Sequence, residues 1–246
     1  MCIRDMSRPG RRLRRKHRQR KTRKIMMKRV PEPELMDSEE QTLAYAHADF
    51  EESNSLFTRE FLERFAGLAG SGSMADLGCG PGDIAIRLAN ALPGWQVTGI
   101  DAGENMLRRA REHPGYPAVA DRVSFHLAYL PDPTLQAGGW NALVSNSLLH
   151  HLPDPQVLWN SIGQLAADGA AVQVMDLVRP ESKPAATDLV DRYADGAPEI
   201  LREDFYNSLL AAYTVEEVTQ QLEQARLDSL RVETVSDRHW LVSGTL

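Results

Sequence analysis

The sequence contains only two cysteines, Cys2 and Cys79, among 246 residues. Two cysteines cannot build a disulfide framework, so the sequence favours a reducing compartment and we predict a cytoplasmic protein. The chain also has no run of 18 apolar residues, and we therefore predict that nothing spans a membrane. With 42% hydrophobic and 25% charged residues, the chain is long enough to bury a sizeable core, most simply one α/β domain with additions.

Basic residues are scarce beyond the N-terminal stretch. Residues 1–29 hold 14 of the 28 Lys and Arg, whereas residues 30–246 carry 14 basic and 33 acidic residues. If translation starts at Met26 or Met27, the protein is strongly acidic, which argues against a polyanionic substrate. Three interpretations of the basic stretch stay open: an assembly artefact or wrong translation start, with Met26 or Met27 as the real first residue; a disordered, solvated tail; or an arm that binds nucleic acid. The third lacks aromatic residues that could stack on bases.

A Gly-rich turn follows the apolar run that ends at Leu77. No G-K-[ST] follows this turn, which excludes a Walker loop, and Asp83 stands where a dinucleotide fingerprint needs its third glycine. Gly78, Gly80 and Gly82 stand instead at every second position, where they allow a sharp turn and a close approach of a ligand. Apolar residues at helical spacing come next, so the pattern predicts a strand, a turn and a helix.

Acidic residues mark two neighbouring strand ends. Asp76 precedes the glycines, and Asp101 ends the predicted strand 96–101, nineteen residues after Gly82. That offset is expected for a second parallel strand beside the first, where a carboxylate can accept both hydroxyls of a ribose. The D-x-G-x-G-x-G segment, and the D-x-x-x-x-M segment from Asp101 to Met106, resemble the first two motifs of the class I S-adenosylmethionine-dependent methyltransferases.

The resemblance covers about residues 70–246 and implies a Rossmann-like, doubly wound α/β sheet, mostly parallel, with a C-terminal antiparallel hairpin and helices on both faces. It implies S-adenosyl-L-methionine as cofactor and in-line transfer of a methyl group to a small molecule. The family usually has an acid after the third strand; this chain has Leu127-Ala128-Tyr129 there, so we expect adenine to be held by backbone and packing. The implied cofactor-binding residues are Asp76, Gly78, Cys79, Gly80, Gly82, Asp101, Ala102, Met106, Ala128 and Asn146.

Paired histidines follow the predicted fourth strand, 142–146. The segment from Ser147 to Leu152 is similar to the S-x-L-H-H-L segment of small-molecule methyltransferases. His150 and His151 are therefore candidate catalytic residues, and three roles stay open: general base, substrate positioning, or hydrogen bonding within the loop. Adjacent histidines are expected to point apart and no third ligand is evident, so we predict no metal site.

The remaining segments divide the chain into a basic tail, 1–29, an N-terminal helical lid, 30–69, and a methyltransferase domain, 70–246. In related enzymes such N-terminal helices close over the cofactor, which makes Tyr45 and Phe50 candidate residues of the substrate pocket; the alternative is that they only pack the helix onto the body of the protein. A proline-containing insertion at about 179–213 interrupts the alternation of strands and helices. We expect this insertion to cover the pocket, with Tyr206 on its wall.

Two other functions stay open. An RNA-directed methyltransferase or adaptor would use residues 1–29, although the chain lacks the N-P-P-[YF] segment of adenine N6 enzymes and a cysteine pair for pyrimidine C5 chemistry. The other is a cofactor-binding module without turnover that uses the basic N-terminal arm. The pattern leaves the acceptor atom and the oligomeric state open, and it favours a small-molecule partner over nucleic acid.

Overall fold

A seven-stranded sheet forms the centre of the protein. The computed structural model describes residues 27–32 and 37–246. The strands are β1 (Gly72–Leu77), β2 (Trp95–Asp101), β3 (Val123–Leu127), β4 (Trp140–Asn146), β5 (Ala166–Leu177), β6 (Arg231–Thr234) and β7 (His239–Thr245). Their spatial order is β3-β2-β1-β4-β5-β7-β6.

The strand order reverses in the middle of the sheet. The chain starts at β1, moves outward through β2 and β3, and returns to lay β4 on the other side of β1. Strands β1 to β5 are parallel, whereas β7 runs antiparallel to both β5 and β6. Open α/β sheets bind ligands beyond the carboxyl ends of their strands at such a reversal. The predicted fold class, including the C-terminal hairpin, is confirmed.

Helices cover both faces of the sheet. They are α1 (Glu39–His47), α2 (Glu51–Arg64), α3 (Asp83–Ala91), α4 (Glu104–Glu112), α5 (Gln156–Leu165), α6 (Lys183–Tyr193), α7 (Glu199–Ala211) and α8 (Val215–Gln224). The helix α8 begins with a capping box, in which Thr214 and Glu217 satisfy each other's backbone N–H groups. Successive side chains of a strand point to opposite faces of the sheet, so an apolar cluster packs on each face. Ala171 packs in the cluster with α2 and α3, and its neighbour Val172 packs in the cluster with α5 and α8.

The helix α2 starts at Glu51, whose N–H donates to the carboxylate of Asp49 over 3.0 Å. The insertion forms the helices α6 and α7, and its ends meet where Val178 pairs with Tyr213. None of the helices in the described part of the chain is both long and apolar enough to cross a bilayer.

The N-terminal segment 27–32, here called the strap, packs along α7. The Val30 N–H donates to the Leu210 carbonyl, and Met27 packs against the apolar cluster around α6 and α7. Residues 27–29 of the predicted basic tail therefore contact the body of the protein. The rest of that tail, residues 1–26, lies outside the described residues, and the division into tail, lid and catalytic domain stays a prediction.

Candidate functional site

A cavity of about 640 Å³ opens over the carboxyl ends of β1, β2 and β4. Its floor is the turn between β1 and α3, and its far walls come from the ends of β2 and β4. The N-terminal helices α1 and α2 close one side. The wall includes Tyr45, Phe50, Asn54, Asp76, Gly78, Gly80, Asp101, Ala102, Met106, Ala128, Asn146 and His151.

The carboxyl group of Asp76 is buried in the floor of this cavity. Its side chain is 1% exposed, and its Oδ2 atom has no hydrogen-bond donor among the described residues. Burial, reinforced by the nearby charge of Asp101, raises the pKa of Asp76 to about 8, against a weaker opposing effect from the Ala85 backbone. A buried acceptor without a donor is costly unless a ligand supplies one. Asp76 is therefore arranged to receive a positively charged donor.

The carboxylate of Asp101 is fixed by backbone donors on both sides. The Gly80 N–H donates to Oδ2 and the Gly103 N–H to Oδ1, each over 2.8 Å. Burial raises the pKa of Asp101, while these two N–H groups oppose the shift. Each oxygen keeps a further lone pair toward the cavity, which suits the paired hydroxyls of a ribose.

The register of β1 and β2 sets the spacing of the two acids. Asp76 lies beside Gly99, two residues before Asp101, on adjacent parallel strands. The charge of Asp101 also reaches Asp76 strongly enough to raise its pKa. The structure therefore places the two carboxylates at neighbouring strand ends, as the sequence predicts.

The glycines of the turn have different surroundings. Gly80 has φ of +52°, and a Cβ there would meet nothing within 4 Å, which leaves its cavity side open for a ligand. Gly82 has φ of +82° at the start of α3, and a Cβ there would lie 2.8 Å from the Phe125 ring. Gly82 does not lie on the cavity wall. The side of Gly82 that would carry a Cβ faces the Phe125 ring, although the α3 residues Asp83, Ile84 and Arg87 line the cavity. The predicted contact of Gly82 with the cofactor stays a prediction.

We expect alanine at these two positions to have different effects. Gly80→Ala should retain most of its stability apart from left-handed strain of about 1 kcal/mol, but should weaken ligand binding in the cavity. Gly82→Ala adds a clash to the same strain and should cost a further 1 to 3 kcal/mol or so of unfolding free energy. Urea unfolding and calorimetric titration of both variants test this. Equal loss of stability in both variants would contradict the assignment.

The other nine predicted cofactor-binding residues all lie on the cavity wall. Burial raises the pKa of the Cys79 thiol, so this group stays protonated near neutral pH and is suited to lining the cavity rather than to nucleophilic attack. Asn146 resembles Asp76, since its buried Oδ1 has no donor among the described residues. Their individual contacts with a cofactor stay predictions.

The lid is attached to the Gly-rich turn by a polar network that sequence reasoning missed. Asn54 on α2 donates to Asp83 at the start of α3 over 2.7 Å, and Arg87 bridges Asp83 and Glu51 at 2.5 and 2.6 Å. Burial would raise the pKa of Asp83, but hydrogen bonds from His113 and Arg87 outweigh it and lower the pKa. The network thus holds α2 against the cavity.

The pocket predictions for aromatic residues differ in outcome. Tyr45 and Phe50 both lie on the cavity wall with ring centroids 4.6 Å apart. Tyr206 does not, and no residue of the insertion 179–213 contributes to the wall. The helix α7 instead packs behind α1, where Gln41 donates to Asp204 over 3.5 Å, and Tyr206 packs in the apolar cluster of α6 and α7. The insertion therefore supports the lid from behind and leaves the cavity to α1 and α2.

The two histidines differ in exposure to the cavity. His151 lies on its wall, whereas His150 is 3% exposed and lies behind it. The His150 Nδ1 atom lies 2.5 Å from Asp176 Oδ1, and its backbone N–H donates to Asp176 Oδ2 over 3.1 Å. Burial alone would lower the pKa of His150, but Asp176 and Glu32 outweigh it and raise the pKa. Only His151 of the two is placed to contact a molecule in the cavity.

The prediction that these histidines point apart is wrong. Their ring centroids are 4.2 Å apart at a tilt of 36°, and both rings face the strap residue Glu32. The expected absence of a third metal-binding side chain is also wrong, since Glu32 completes a group of three. Sequence reasoning missed Glu32 because it lies 118 residues before His150 in a stretch without periodicity.

The strap is held in place by Arg29. Its guanidinium donates to the carbonyls of Ala211 and His150 over 2.5 and 2.7 Å and stacks over the Tyr213 ring at 4.2 Å. These contacts fix the strap to both the insertion and the histidine turn. The sequence offered no signal for them, because Arg29 stands at the end of a long basic run.

Comparisons with known proteins agree with this architecture. A family model described as a methyltransferase domain matches residues 75–172. The chain is 32% identical over 139 residues to trans-aconitate 2-methyltransferase of Streptomyces coelicolor, covering 53% of this chain and 44% of that protein. It is 30% identical over 186 residues to 27-O-demethylrifamycin SV methyltransferase of Amycolatopsis mediterranei, covering 73% and 63%.

A solved structure extends the likeness to the fold. A SAM dependent methyltransferase from Aquifex aeolicus superposes with a TM-score of 0.59 at 19% identity, over 80% of this chain and 94% of that one. The chain spans about half the length of curated relatives that it matches, such as 53% of an uncharacterized methyltransferase of Mycobacterium tuberculosis. The matched domain and the strand order agree, and the chain contains a methyltransferase domain of the class I S-adenosylmethionine-dependent type.

Proposed function

We propose that the protein transfers a methyl group from S-adenosylmethionine to a small molecule. The observation that carries the proposal is the unpartnered, buried Oδ2 atom of Asp76, which faces a 640 Å³ cavity beside the anchored carboxylate of Asp101. The volume suits a nucleoside-sized ligand. The similarity to methyltransferases named for trans-aconitate and for a rifamycin supports a small acceptor.

The residues present fit the cofactor. Asp76 would accept from its α-ammonium group, Asp101 from its ribose hydroxyls, and Met106 and Ala128 would pack against the adenine. The open side of Gly80 would let the backbone approach the ligand closely. When bound, S-adenosylmethionine supplies a methyl group already activated by the sulfonium. The chain's own task is then to orient the acceptor and exclude water, which can account for about 7 to 11 kcal/mol of a reaction barrier.

The acceptor would enter between the lid and the turn after β4. Tyr45 and Phe50 offer apolar surface there, and His151 offers a ring nitrogen on the same wall. Burial chiefly, together with nearby carboxylates, raises the pKa of Tyr45 to about 12, so its hydroxyl stays protonated and serves as a neutral hydrogen-bonding group. This part of the cavity wall is thus suited to an acceptor with an apolar body and one polar nucleophilic atom.

Release of S-adenosylhomocysteine from a panel of hydroxylated, carboxylated and thiol acceptors tests the proposal. We expect turnover with at least one class, and Phe50→Ala should raise the KM for the acceptor more than that for the methyl donor. RNA included in the same panel addresses the alternative function. Methylation of RNA alone, or cofactor binding without turnover on any class, would contradict the proposal.

The raised pKa of Asp76 predicts a pH dependence of stability. A folded-state pKa near 8 lies above the ordinary value of 3.8, so the folded empty protein binds more protons than the unfolded chain between these values. The contribution of Asp76 to stability must therefore fall as the pH rises from 4 to 8, by at most about 1.4 kcal/mol per pH unit. Asp76→Asn removes this slope and should be more stable than the parent at pH 8.

Urea unfolding of the parent and of Asp76→Asn at pH 5, 6, 7 and 8 checks this expectation. The unfolding free energy of Asp76→Asn should rise relative to that of the parent at each increase in pH. Saturating S-adenosylmethionine should reverse the order at pH 8, because its ammonium stabilises the ionised carboxylate. A difference that stays constant over this range would contradict the burial of an uncompensated carboxyl group.

A further inference from the structure

Three side chains from two distant segments converge behind the acceptor wall. Glu32 Oε1 lies 3.4 Å from His150 Nε2 and 3.2 Å from His151 Nδ1, and one ligand atom of each lies within 4.8 Å of the others. We propose that Glu32, His150 and His151 form a binding site for a divalent transition-metal ion, with zinc as the best match. This inference adds a metal centre at the acceptor end of the proposed methyltransferase site.

The separations between these side chains match the spacing of metal ligands. Strong N–H···O bonds to a carboxylate span about 2.7–2.9 Å, and both contacts to Glu32 are longer. Zinc bonds of about 2.0–2.1 Å at tetrahedral angles place neighbouring ligand atoms about 3.3 Å apart. The measured 3.4 and 3.2 Å agree with this edge length. Small adjustments of the rings would therefore bring all three atoms to bonding distance.

The surroundings orient the ligand atoms. His150 Nδ1 lies against Asp176 Oδ1 at 2.5 Å, which keeps the proton on Nδ1 and directs the lone pair of Nε2 toward Glu32. Metal-binding histidines commonly donate their second N–H to a carboxylate in this way. The Ser208 hydroxyl also holds Glu32, since it lies within hydrogen-bond distance of both carboxylate oxygens, 3.2 Å from Oε1 and 3.4 Å from Oε2. Both the tautomer of His150 and the position of Glu32 are thus set before a metal arrives.

The local charge favours a cation. Two carboxylates, Glu32 and Asp176, are opposed by one guanidinium, Arg29, whose NH2 group donates to the His150 carbonyl over 2.7 Å. A metal binds imidazoles in their neutral form, and with both imidazoles in that form these three charged groups carry one net negative charge in a largely buried setting. Buried charges need a partner, and a divalent cation supplies it.

The fourth coordination position distinguishes a catalytic site from a structural one. Two imidazoles and one carboxylate with an open fourth position are a donor set of catalytic zinc sites. Of the three side chains only His151 lies on the wall of the 640 Å³ cavity, so a metal held by its ring would lie at the edge of the space proposed for the acceptor. An acceptor oxygen or sulfur bound there would lose its proton more readily, which favours acceptors with a hydroxyl, thiol or carboxyl group.

Cobalt titration of the chelator-treated full-length protein tests the site. We expect one equivalent of Co²⁺ to produce the visible absorption of a four-coordinate ion, and zinc to displace it. Glu32→Gln and His151→Gln should abolish this absorption, and Asp176→Asn should weaken cobalt affinity by roughly 10- to 100-fold. His126→Gln and Glu223→Gln, which change exposed side chains of the same types, serve as matched controls and should bind like the parent.

The cobalt absorption does not depend on methyl transfer. A negative result for the metal site can therefore be distinguished from a negative result for the proposed function. S-adenosylmethionine binding by each variant shows that it is folded. Absence of the cobalt absorption in a parent protein that binds S-adenosylmethionine would overturn the metal site. An unchanged cobalt affinity in Glu32→Gln would overturn it as well, because Glu32 is the ligand that both histidines face.

Discussion

Asp101→Ala is expected to weaken S-adenosylmethionine binding by about 100-fold or more. The proposed site gives this carboxylate two hydrogen bonds to ribose hydroxyls, each worth roughly 1.5 to 3 kcal/mol because the acceptor is charged. Removing both costs about 3 kcal/mol or more, and 1.4 kcal/mol corresponds to tenfold in affinity. Isothermal titration of the parent and the variant measures the change.

Two controls separate this effect from a disturbed fold. Asp121→Ala removes an exposed carboxylate from the loop before β3 and should leave cofactor affinity unchanged. Asp101→Asn retains an oxygen that can accept from the Gly80 N–H, so it should keep the turn in place while losing most of the affinity. Binding by Asp101→Ala that equals the parent's would refute the ribose role.

Trp159→Ala is expected to lower the free energy of unfolding by about 3 to 5 kcal/mol. Trp159 on α5 is fully buried, and its indole N–H donates to Gln221 on α8 over 2.9 Å. Truncation would leave a large void between these helices and the sheet, and the Gln221 oxygen would lose its donor. For a chain of this size the melting temperature should fall by roughly 10 °C.

Trp159→Phe provides the matched comparison. The ring fills most of the space, so only the hydrogen bond is lost, and the cost should be about 1 to 3 kcal/mol. Urea unfolding monitored by circular dichroism gives both values on one scale. A Phe variant as unstable as the Ala variant would indicate that the hydrogen bond, rather than the packing, holds α5 to α8.

The sequence predicts the sheet and the cofactor end of the site because their signals are local. Asp76, the glycines and Asp101 belong to two consecutive strand and turn units, and their spacing implies neighbouring parallel strands. The register of β1 and β2 then places both acids at the same cavity, and no contact between distant segments is needed for this. Even here Gly82 differs, because the direction of α3 decides whether the third glycine faces a ligand or the Phe125 ring.

The acceptor end of the site depends on contacts between distant segments, and the sequence pattern predicts few of these contacts. Arg29 and His150 are 121 residues apart, and nothing in the strap shows which turn it will cover. The position of Tyr206 likewise follows from how α7 packs against α1. The spacing of apolar residues within a helix does not show which other helix it will pack against. A proline-containing insertion therefore predicts an added element but leaves open which surface that element covers.

A crystal structure of the full chain with S-adenosylhomocysteine tests the central claim most directly. It should show the α-ammonium group within hydrogen-bond distance of Asp76 Oδ2 and both ribose hydroxyls at the Asp101 carboxylate, with the sulfur facing the turn that carries His151. A ligand bound elsewhere, or bound in this cavity without contact to either acid, would contradict the account.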